Sequence, residues 1–339
     1  MFSDLSSDEI LYQQIASLLS DYRHIPKTGM DAAHVKKWVM QFDECDRSFI
    51  LEQTSYLLSV GYQTKEAYKR RISQIAHNPN NERFHKHSGF LSIQKKGSSQ
   101  REIIDDLYSE VGTKFKVITR FSAYDEVRAY KSFVYIDDVS FSGEKAVNDL
   151  KWLINTYNLR DVNIQVYLFT AHTLSMYYIK NVIENTYHDR NITIVVGTSG
   201  VRTVENRKYC SSQSGVFWPR EYSVSIPEEF KDCEYYKGIF RNGYTQNNSF
   251  RDELSRDRYE SILTKVGFNI LLHRKTPSDV LKPLGFSTFD GLGFGGTTFT
   301  YRNCPNNAPL AFWWGDYEPT GTTALDCWYP LMKRIGYNE

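Results

Sequence analysis

The most informative stretch of the sequence is Phe133-Val-Tyr-Ile-Asp137-Asp138-Val-Ser-Phe-Ser-Gly143-Glu-Lys145. Its four leading apolar residues predict a buried strand over residues 133–136, and the two aspartates follow at the carboxyl end of that strand. A loop over residues 137–145 is predicted next, and then a helix over residues 146–157. Ligands of open α/β sheets bind outside the carboxyl ends of the strands, so this stretch is the first candidate for a functional site.

The chemistry of the stretch favours a sugar that carries a phosphate. The carboxylates of Asp137 and Asp138 can accept hydrogen bonds from ribose hydroxyls, directly or through Mg²⁺, and two adjacent carboxylates need such compensation. Backbone amides of the loop and the start of the next helix can hold an anion. The residues assigned to the phosphate and ribose are Val139, Ser140, Phe141, Ser142, Gly143, Glu144 and Lys145. A simpler interpretation is that the two aspartates end a strand and cap the following helix.

The surrounding sequence alternates strands with helices, which favours parallel pairing in an α/β sheet. The other predicted strands are residues 90–94, 164–170 and 192–196, and the helices between them are residues 101–111 and 175–187. We therefore predict a parallel sheet flanked by helices as the core, over residues 86–200.

Helices are predicted on the amino-terminal side of this core, in residues 1–85. Ser6 and Glu9 form a capping box, and Asp31 precedes a second helix with one apolar face. This region is predicted to be a cap over the core or a docking surface for a partner.

The region after the core, residues 201–339, is predicted to be an insertion or hood followed by aromatic-rich strands. Residues 200–250 show few periodic patterns and are interpreted as long loops. A helix over residues 251–266, a strand over 268–273 and further strands over 297–301 and 310–314 are expected to form a C-terminal β extension that packs on the core.

Composition excludes several classes of protein. The 41 basic and 40 acidic side chains nearly cancel, so no global charge attracts the chain to nucleic acid or to an anionic membrane. The five cysteines form no C-x-x-C pair, which argues against a zinc ribbon and a disulfide framework. We expect a cytoplasmic protein without a membrane segment.

The stretch over residues 133–145 resembles the PRPP-binding motif of type I phosphoribosyltransferases, in which an apolar strand is followed by two acidic residues, three variable residues and then a Thr/Ser-Gly pair. The resemblance implies a type I phosphoribosyltransferase-like fold, PRPP or a nucleotide as ligand, and a catalytic contribution from Asp138. Glu144 and Lys145 depart from the pattern, since Ser or Thr usually stands where Lys145 does. An earlier turn resembles the pyrophosphate loop of the same family, although an ordinary βα turn explains it equally well; its residues are Lys96, Gly97, Ser98, Ser99 and Gln100.

A longer resemblance covers nearly the whole chain. Trp38, the run Gln41-Phe42-Asp43 and the tail Arg302-Asn303-Cys304-Pro305-Asn306-Asn307 are similar to phosphoribosyltransferase-like effectors of bacterial conflict systems. Some of those effectors accompany retron reverse transcriptases and SMC-like ATPases. The resemblance thus implies an anti-phage role, with an ATPase and a reverse transcriptase bearing its RNA–DNA product as partners.

Other constellations carry less weight. Gly291, Gly293 and Gly296 match G-x-G-x-x-G, but a strand is predicted after them where a dinucleotide site needs a helix. Cys304 has no assignable His partner, so a buried, inert thiol is expected there rather than a nucleophile. His85 and His87 are too few for a metal site. Arg302, Asn303, Asn306 and Asn307 form either a hairpin turn or a set of contacts to a base or phosphate.

Three functions remain open from the sequence. The first is an enzyme that, with Mg²⁺, transfers or hydrolyses at ribose C1. The second is a catalytically inactive module that senses a nucleotide and docks an ATPase or reverse transcriptase. The third is direct nucleic-acid binding through local Lys/Arg patches.

Overall fold

The structure of the protein is a computed structural model. It describes residues 6–78, 81, 86–94, 99–111, 115–197, 202–207, 210, 213–238, 240–241, 249–273, 278–321 and 324–336. The chain divides into two compact units. The two-segment unit comprises Met1–Lys65 and Lys208–Gly336, and the sheet unit comprises Glu66–Arg207 together with Tyr337–Glu339.

The helices and strands are numbered in chain order. The helices are α1 Ser7–Leu18, α2 Ala32–Val39, α3 Arg47–Gly61, α4 Lys65–Ala76, α5 Ser99–Val111, α6 Tyr124–Arg128, α7 Glu144–Thr156, α8 Thr173–Thr186, α9 Glu253–Leu272 and α10 Leu310–Trp313. The strands are β1 Tyr62–Gln63, β2 Gly89–Ser92, β3 Lys116–Thr119, β4 Ser132–Ser140, β5 Val162–His172, β6 Ile192–Gly197, β7 Thr203–Val204, β8 Leu281–Lys282, β9 Gly285–Phe286 and β10 Phe299–Thr300.

The sheet unit is built on parallel strands in the order β3-β2-β4-β5-β6, with β7 beside the end of β5. This confirms the predicted parallel sheet flanked by helices. One face of the sheet, which includes Tyr135 and Leu168, packs against apolar residues of α7 and α8 such as Leu150 and Ile179. The opposite face includes Phe169, whose ring lies 5.4 Å from that of Tyr68 in α4.

The two-segment unit has its own core, drawn from both ends of the chain. Trp38 of α2 stacks on Phe312 of α10, and its indole N–H donates a 2.8 Å hydrogen bond to the carbonyl of Ala311. Helix α1 begins at the predicted capping box of Ser6 and Glu9. Here the unit boundaries fall near residues 65 and 208, whereas the sequence suggested boundaries at 85 and 200. The difference arises because apolar faces of the first helices pack with C-terminal residues far away in the chain.

Two predicted strands of the C-terminal region are wrong. Residues 268–273 belong almost entirely to helix α9, in which Phe268 and Ile270 are both buried. Their alternation with Asn269 imitated the period of a strand. Residues 310–313 form the short helix α10. A continuous apolar run of that length does not distinguish a strand from a buried helix.

Within the sheet unit, the predicted loop over residues 137–145 begins later than expected. Strand β4 continues to Ser140, because Val139 and Ser140 still pair with Thr170 and Ala171 of β5. The loop is therefore confined to residues 141–143. Strand β3 and the short β7 were not predicted.

None of the helices in the described part of the chain is both long and apolar enough to cross a lipid bilayer.

Candidate active site

The candidate site lies where the strand order of the sheet reverses. The chain passes from β2 to β3 on one side, while β4 pairs with β2 on the other side. Among the described residues, β4 pairs with β2 through Phe133 and Val134, whereas it pairs with β5 as far as Ser140. The amide of Gln100 in α5 instead donates a 3.3 Å hydrogen bond to the carbonyl of Ile136. Carboxyl ends of strands at such a switch point are the usual ligand site of open α/β sheets.

The two aspartates of β4 converge on one hydroxyl group. Ser99, the first residue of α5, lies with its Oγ 2.7 Å from Oδ1 of Asp137 and 3.0 Å from Oδ1 of Asp138. Each carboxylate also accepts the backbone N–H of the residue that follows it. Asp137 is buried and Asp138 is half-buried. The structure thus brings together the predicted acidic pair and the end of the predicted pyrophosphate turn.

A side-chain network that the sequence did not reveal supports Asp137. The amide nitrogen of Gln94, just after β2, donates hydrogen bonds of 2.8 Å both to Asp137 Oδ2 and to the hydroxyl of Tyr135. Tyr135 donates in turn to Asp149 of α7, at 3.1 Å. Asp149 also accepts a hydrogen bond from Arg120, whose guanidinium lies 4.4 Å from the centre of the Trp152 ring.

Electrostatics in this network follow from burial. Burial raises the pKa of the Asp149 carboxyl, against the opposing effects of the Tyr135 hydrogen bond and of the charges of Lys145 and Arg120. Burial, with the nearby charges of Asp137 and Asp149, also raises the pKa of the Tyr135 hydroxyl. Tyr135 therefore stays neutral and able to donate a hydrogen bond. The sequence contained one indication of this network, because Asp149 lies three residues after Ala146, on the otherwise apolar face of α7.

The loop after β4 presents backbone donors at the start of α7. Gly143 adopts φ +85°, and a Cβ there would lie 2.9 Å from the carbonyl oxygen of Ser175, so a glycine is required on both counts. The N–H of Glu144 donates a 3.3 Å hydrogen bond to the hydroxyl of Ser142. Within the described residues, the N–H groups of Ser142 and Gly143 form no hydrogen bond with the protein. They remain available as donors, next to the positive end of the α7 dipole.

This loop is held in place by residues from β5, from α8 and from the segment after β7. The carbonyl of Ser140 accepts hydrogen bonds from Nδ1 of His172, at 3.0 Å, and from the hydroxyl of Ser175, at 3.1 Å. The amide of Asn206 donates to the carbonyl of Phe141, at 3.1 Å. Residues around Asn206 were interpreted as an irregular loop in the sequence, and none of these contacts was predicted.

Lys145 lies in the first turn of α7 and is exposed. Its Nζ donates a 2.8 Å hydrogen bond to Oε1 of Gln94. A cationic side chain therefore stands at this position of the sequence, where the resemblance expects a hydroxyl side chain. Glu144 is also exposed. Lys96, Gly97 and Ser98 of the predicted pyrophosphate turn lie outside the described residues.

The chemistry of Asp137 and Asp138 fits a magnesium ion. Mg²⁺ in proteins is usually held by one or two carboxylates, with waters and substrate phosphates as its other ligands. The described part of the chain contains no group of three or more His, Cys, Asp or Glu residues that could enclose a metal by itself. A metal at this site would therefore take its remaining ligands from water and from oxygen atoms of the bound molecule.

The four polar residues predicted near the C-terminus belong to the two-segment unit. Asn303 exchanges two hydrogen bonds with the backbone of Ile335, which supports a structural role in a turn. Arg302 is buried and donates to the hydroxyl of Tyr301. Asn307 is buried against Gly296, and Asn306 is half-buried.

Cys304 is fully buried, and burial raises the pKa of its thiol. Its backbone N–H donates a 2.8 Å hydrogen bond to the hydroxyl of Tyr22. These features match the inert buried thiol expected from the sequence. His87 is exposed, and His85 lies outside the described residues.

The chain is similar to the xanthine-guanine-hypoxanthine phosphoribosyltransferase of Helicobacter pylori, with 9% identity, a TM-score of 0.27, and coverage of 42% of this chain and 89% of that chain. It is also similar to the AQ2163 protein of Aquifex aeolicus, with 12% identity, a TM-score of 0.27, and coverage of 51% and 83%. No curated protein matches the sequence. The family model PRTase-CE matches residues 35–334, so the chain belongs to the PRTase-CE family.

Proposed function

We propose that this protein is a phosphoribosyltransferase-like effector that binds PRPP or a nucleotide with Mg²⁺ and transfers or hydrolyses at ribose C1. The observation that carries the proposal is the convergence of Asp137 and Asp138 on the Ser99 hydroxyl at the switch point of the sheet. The loop N–H groups of Ser142 and Gly143, which can hold a phosphate, follow directly after the same strand. Family membership supports the same class of chemistry.

Each part of the site has a defined task in this proposal. Asp137 and Asp138 would hold the ribose hydroxyls or a hydrated Mg²⁺, which when bound neutralises the pyrophosphate. The N–H groups of Ser142 and Gly143, with Lys145, would hold the 5-phosphate. The bond between C1 and the pyrophosphate or base breaks, and the leaving group takes the electron pair. An acceptor or water forms the new bond to C1. The carboxylates stabilise the positive charge that develops on the ribose ring.

The biological setting is a further part of the proposal. The helical N-terminus and the Arg302-Asn303-Cys304-Pro305-Asn306-Asn307 tail resemble effectors of retron-type anti-phage systems. In such a setting, an SMC-like ATPase and a reverse transcriptase with its RNA–DNA product would restrain the effector until infection. Release would then damage a nucleotide pool or a nucleic acid in the cytoplasm.

Turnover by the purified full-length chain tests the enzyme. Incubation with PRPP or nucleotides and Mg²⁺ should yield pyrophosphate or free base, measured by chromatography. Asp137→Asn and Asp138→Asn should each abolish the product, while Asp105→Asn, at an exposed position of α5, should retain it. Product formation, or toxicity in cells, that survives both aspartate substitutions would overturn the enzymatic proposal. Thermal melting of each variant shows whether it is folded.

A nucleotide-sensing module is the second candidate, and the contact between Lys145 and Gln94 favours it. Lys145, which stands where the resemblance expects Ser or Thr, would neutralise a bound phosphate or occupy its place, so a ligand could bind without turnover. A sensor should show ligand-induced stabilisation, about 2.7 kcal/mol at a ligand concentration 100 times the Kd, without any product. Neither product nor stabilisation with PRPP or nucleotides would contradict both candidates.

A further inference from the structure

A cavity of about 590 Å³ lies within the sheet unit, beside the C-terminal half of α4. Its volume falls within the range of small-molecule sites, about 300–1,000 Å³. Most of its lining residues carry polar side chains, and they include Arg71, Gln74, Asn81, Gln165 and Tyr167, with Gly197 beside them.

Arg71 supplies a positive charge to this cavity, and no acidic side chain in the described part of the chain pairs with it. Among the described residues, its guanidinium has a single hydrogen bond, of 3.3 Å, to the neutral amide of Gln74, and no ion pair. Its Nε is buried and lacks a hydrogen-bond partner. Burial lowers the pKa of the guanidinium, although arginine remains charged at neutral pH. A half-buried cation without a counter-ion is costly, which indicates that an anion completes the site.

The cavity lies on the opposite face of the sheet from the Asp137 side chain. Asp137 pairs in register with Leu168, so the two side chains share one face of the sheet. Gln165 and Tyr167 alternate with Leu168 along β5 and therefore point to the opposite face. Tyr167 is fixed there, since its hydroxyl donates a 3.2 Å hydrogen bond to the side-chain oxygen of Asn81.

We propose that this cavity binds a phosphate-bearing small molecule of about the size of a nucleoside monophosphate. Arginine forms paired hydrogen bonds with phosphate oxygens. The amides of Gln74 and Gln165 supply both donors and acceptors for a base or sugar, and the Tyr167 ring supplies an apolar surface. The volume exceeds what inorganic phosphate alone would fill.

Gly197 provides a second way to perturb the cavity without touching Arg71. A Cβ at this position would lie 2.9 Å from Nε2 of Gln165, at the flexible end of that side chain. Gly197→Ala should therefore displace the Gln165 amide into the cavity at little cost to the fold.

Binding of adenosine 5′-monophosphate and of inorganic phosphate to the full-length chain tests the proposal. Calorimetry should show that the nucleotide binds, and hydrogen exchange should slow in peptides that cover residues 71–78 and 163–168. Arg71→Met should weaken binding at least about 10-fold, as expected for loss of a charge-assisted hydrogen bond. Arg70→Met is the matched control, because neighbouring Arg70 is exposed and paired with Glu66; it should bind as the wild type does. Gly197→Ala should also weaken binding.

The outcomes separate this inference from the proposed function. Asp138→Asn should leave binding at the Arg71 cavity unchanged even where it abolishes turnover. Tighter binding of the nucleotide than of phosphate supports recognition of the whole molecule, whereas equal affinity would overturn the proposed size of the ligand. Protection confined to residues 141–145, equal weakening by Arg70→Met and Arg71→Met, or no binding of either probe at millimolar concentration would overturn the proposal.

Discussion

The ammonium group of Lys145 donates a 2.8 Å hydrogen bond to the side-chain oxygen of Gln94. Gln94 follows β2 and Lys145 lies at the start of α7, so this contact joins the two chain segments that meet at the switch point of the sheet. The same Gln94 side chain donates to Asp137. One amide therefore connects the cationic and the anionic sides of the candidate site.

Lys145→Met should weaken the affinity for PRPP in the presence of Mg²⁺ by about 10-fold, since one charge-assisted hydrogen bond to phosphate contributes about 1.5–3 kcal/mol. Stability of the protein without ligand should change by less than about 0.5 kcal/mol, because a cation near a helix N-terminus is itself unfavourable. Titration calorimetry and urea unfolding measure the two quantities. Lys180→Met, on the exposed side of α8, is the control. Unchanged affinity of Lys145→Met would assign the phosphate to another part of the site.

Gly143→Ala should destabilise the protein more than Gly321→Ala does. Both glycines have positive φ, +85° and +76°, so alanine is strained by about 1 kcal/mol at either position. At Gly143 the added Cβ would also lie 2.9 Å from the Ser175 carbonyl oxygen, whereas nothing lies within 4 Å at Gly321. That contact should cost about 1–3 kcal/mol more. Equal losses in urea unfolding would show that the loop shifts away from Ser175 without cost.

His172 should make stability depend on pH in a defined window. Burial lowers its pKa to about 3, whereas histidine in an unfolded chain titrates near 6.5. Between these values the unfolded chain binds a proton that the native protein does not, so stability is lost as the pH falls below about 6.5. From pH 7.5 to 5.5 the wild type should lose about 1.4 kcal/mol more than His172→Gln does. Urea unfolding at both pH values measures this difference.

The exposed His188 provides the control for that experiment, because His188→Gln should lose stability between pH 7.5 and 5.5 as the wild type does. An identical loss in His172→Gln and in the wild type would mean that His172 takes up its proton in the native protein.

Cys304 should resist alkylation in the native protein, because it is fully buried and burial raises the pKa of its thiol. Iodoacetamide should modify the exposed Cys45 first. Mass spectrometry of tryptic peptides over time measures both sites, and addition of urea should expose Cys304. Labelling of Cys304 at the rate of Cys45 without urea would contradict its burial.

Much of the sheet unit could be predicted because its signals are local. The apolar run before Asp137, the Gly143 turn and the periodic apolar positions of α7 each specify an element within about ten residues. Where the local signal was ambiguous, prediction failed. Phe268 and Ile270 alternate with polar Asn269 as residues of a strand would, although they lie inside α9. The apolar run of α10 has no periodicity that distinguishes a helix from a strand.

The sequence alone determined a parallel α/β core with an acidic pair beside a glycine-led helix start, because hydrophobic periodicity and turn chemistry act between near neighbours in the chain. Only the tertiary structure decided which distant side chains complete the site. Gln94 and Ser99 meet Asp137 because the order of the strands places the end of β2 next to β4. Strand order depends on how whole layers pack, and no single stretch of residues specifies it.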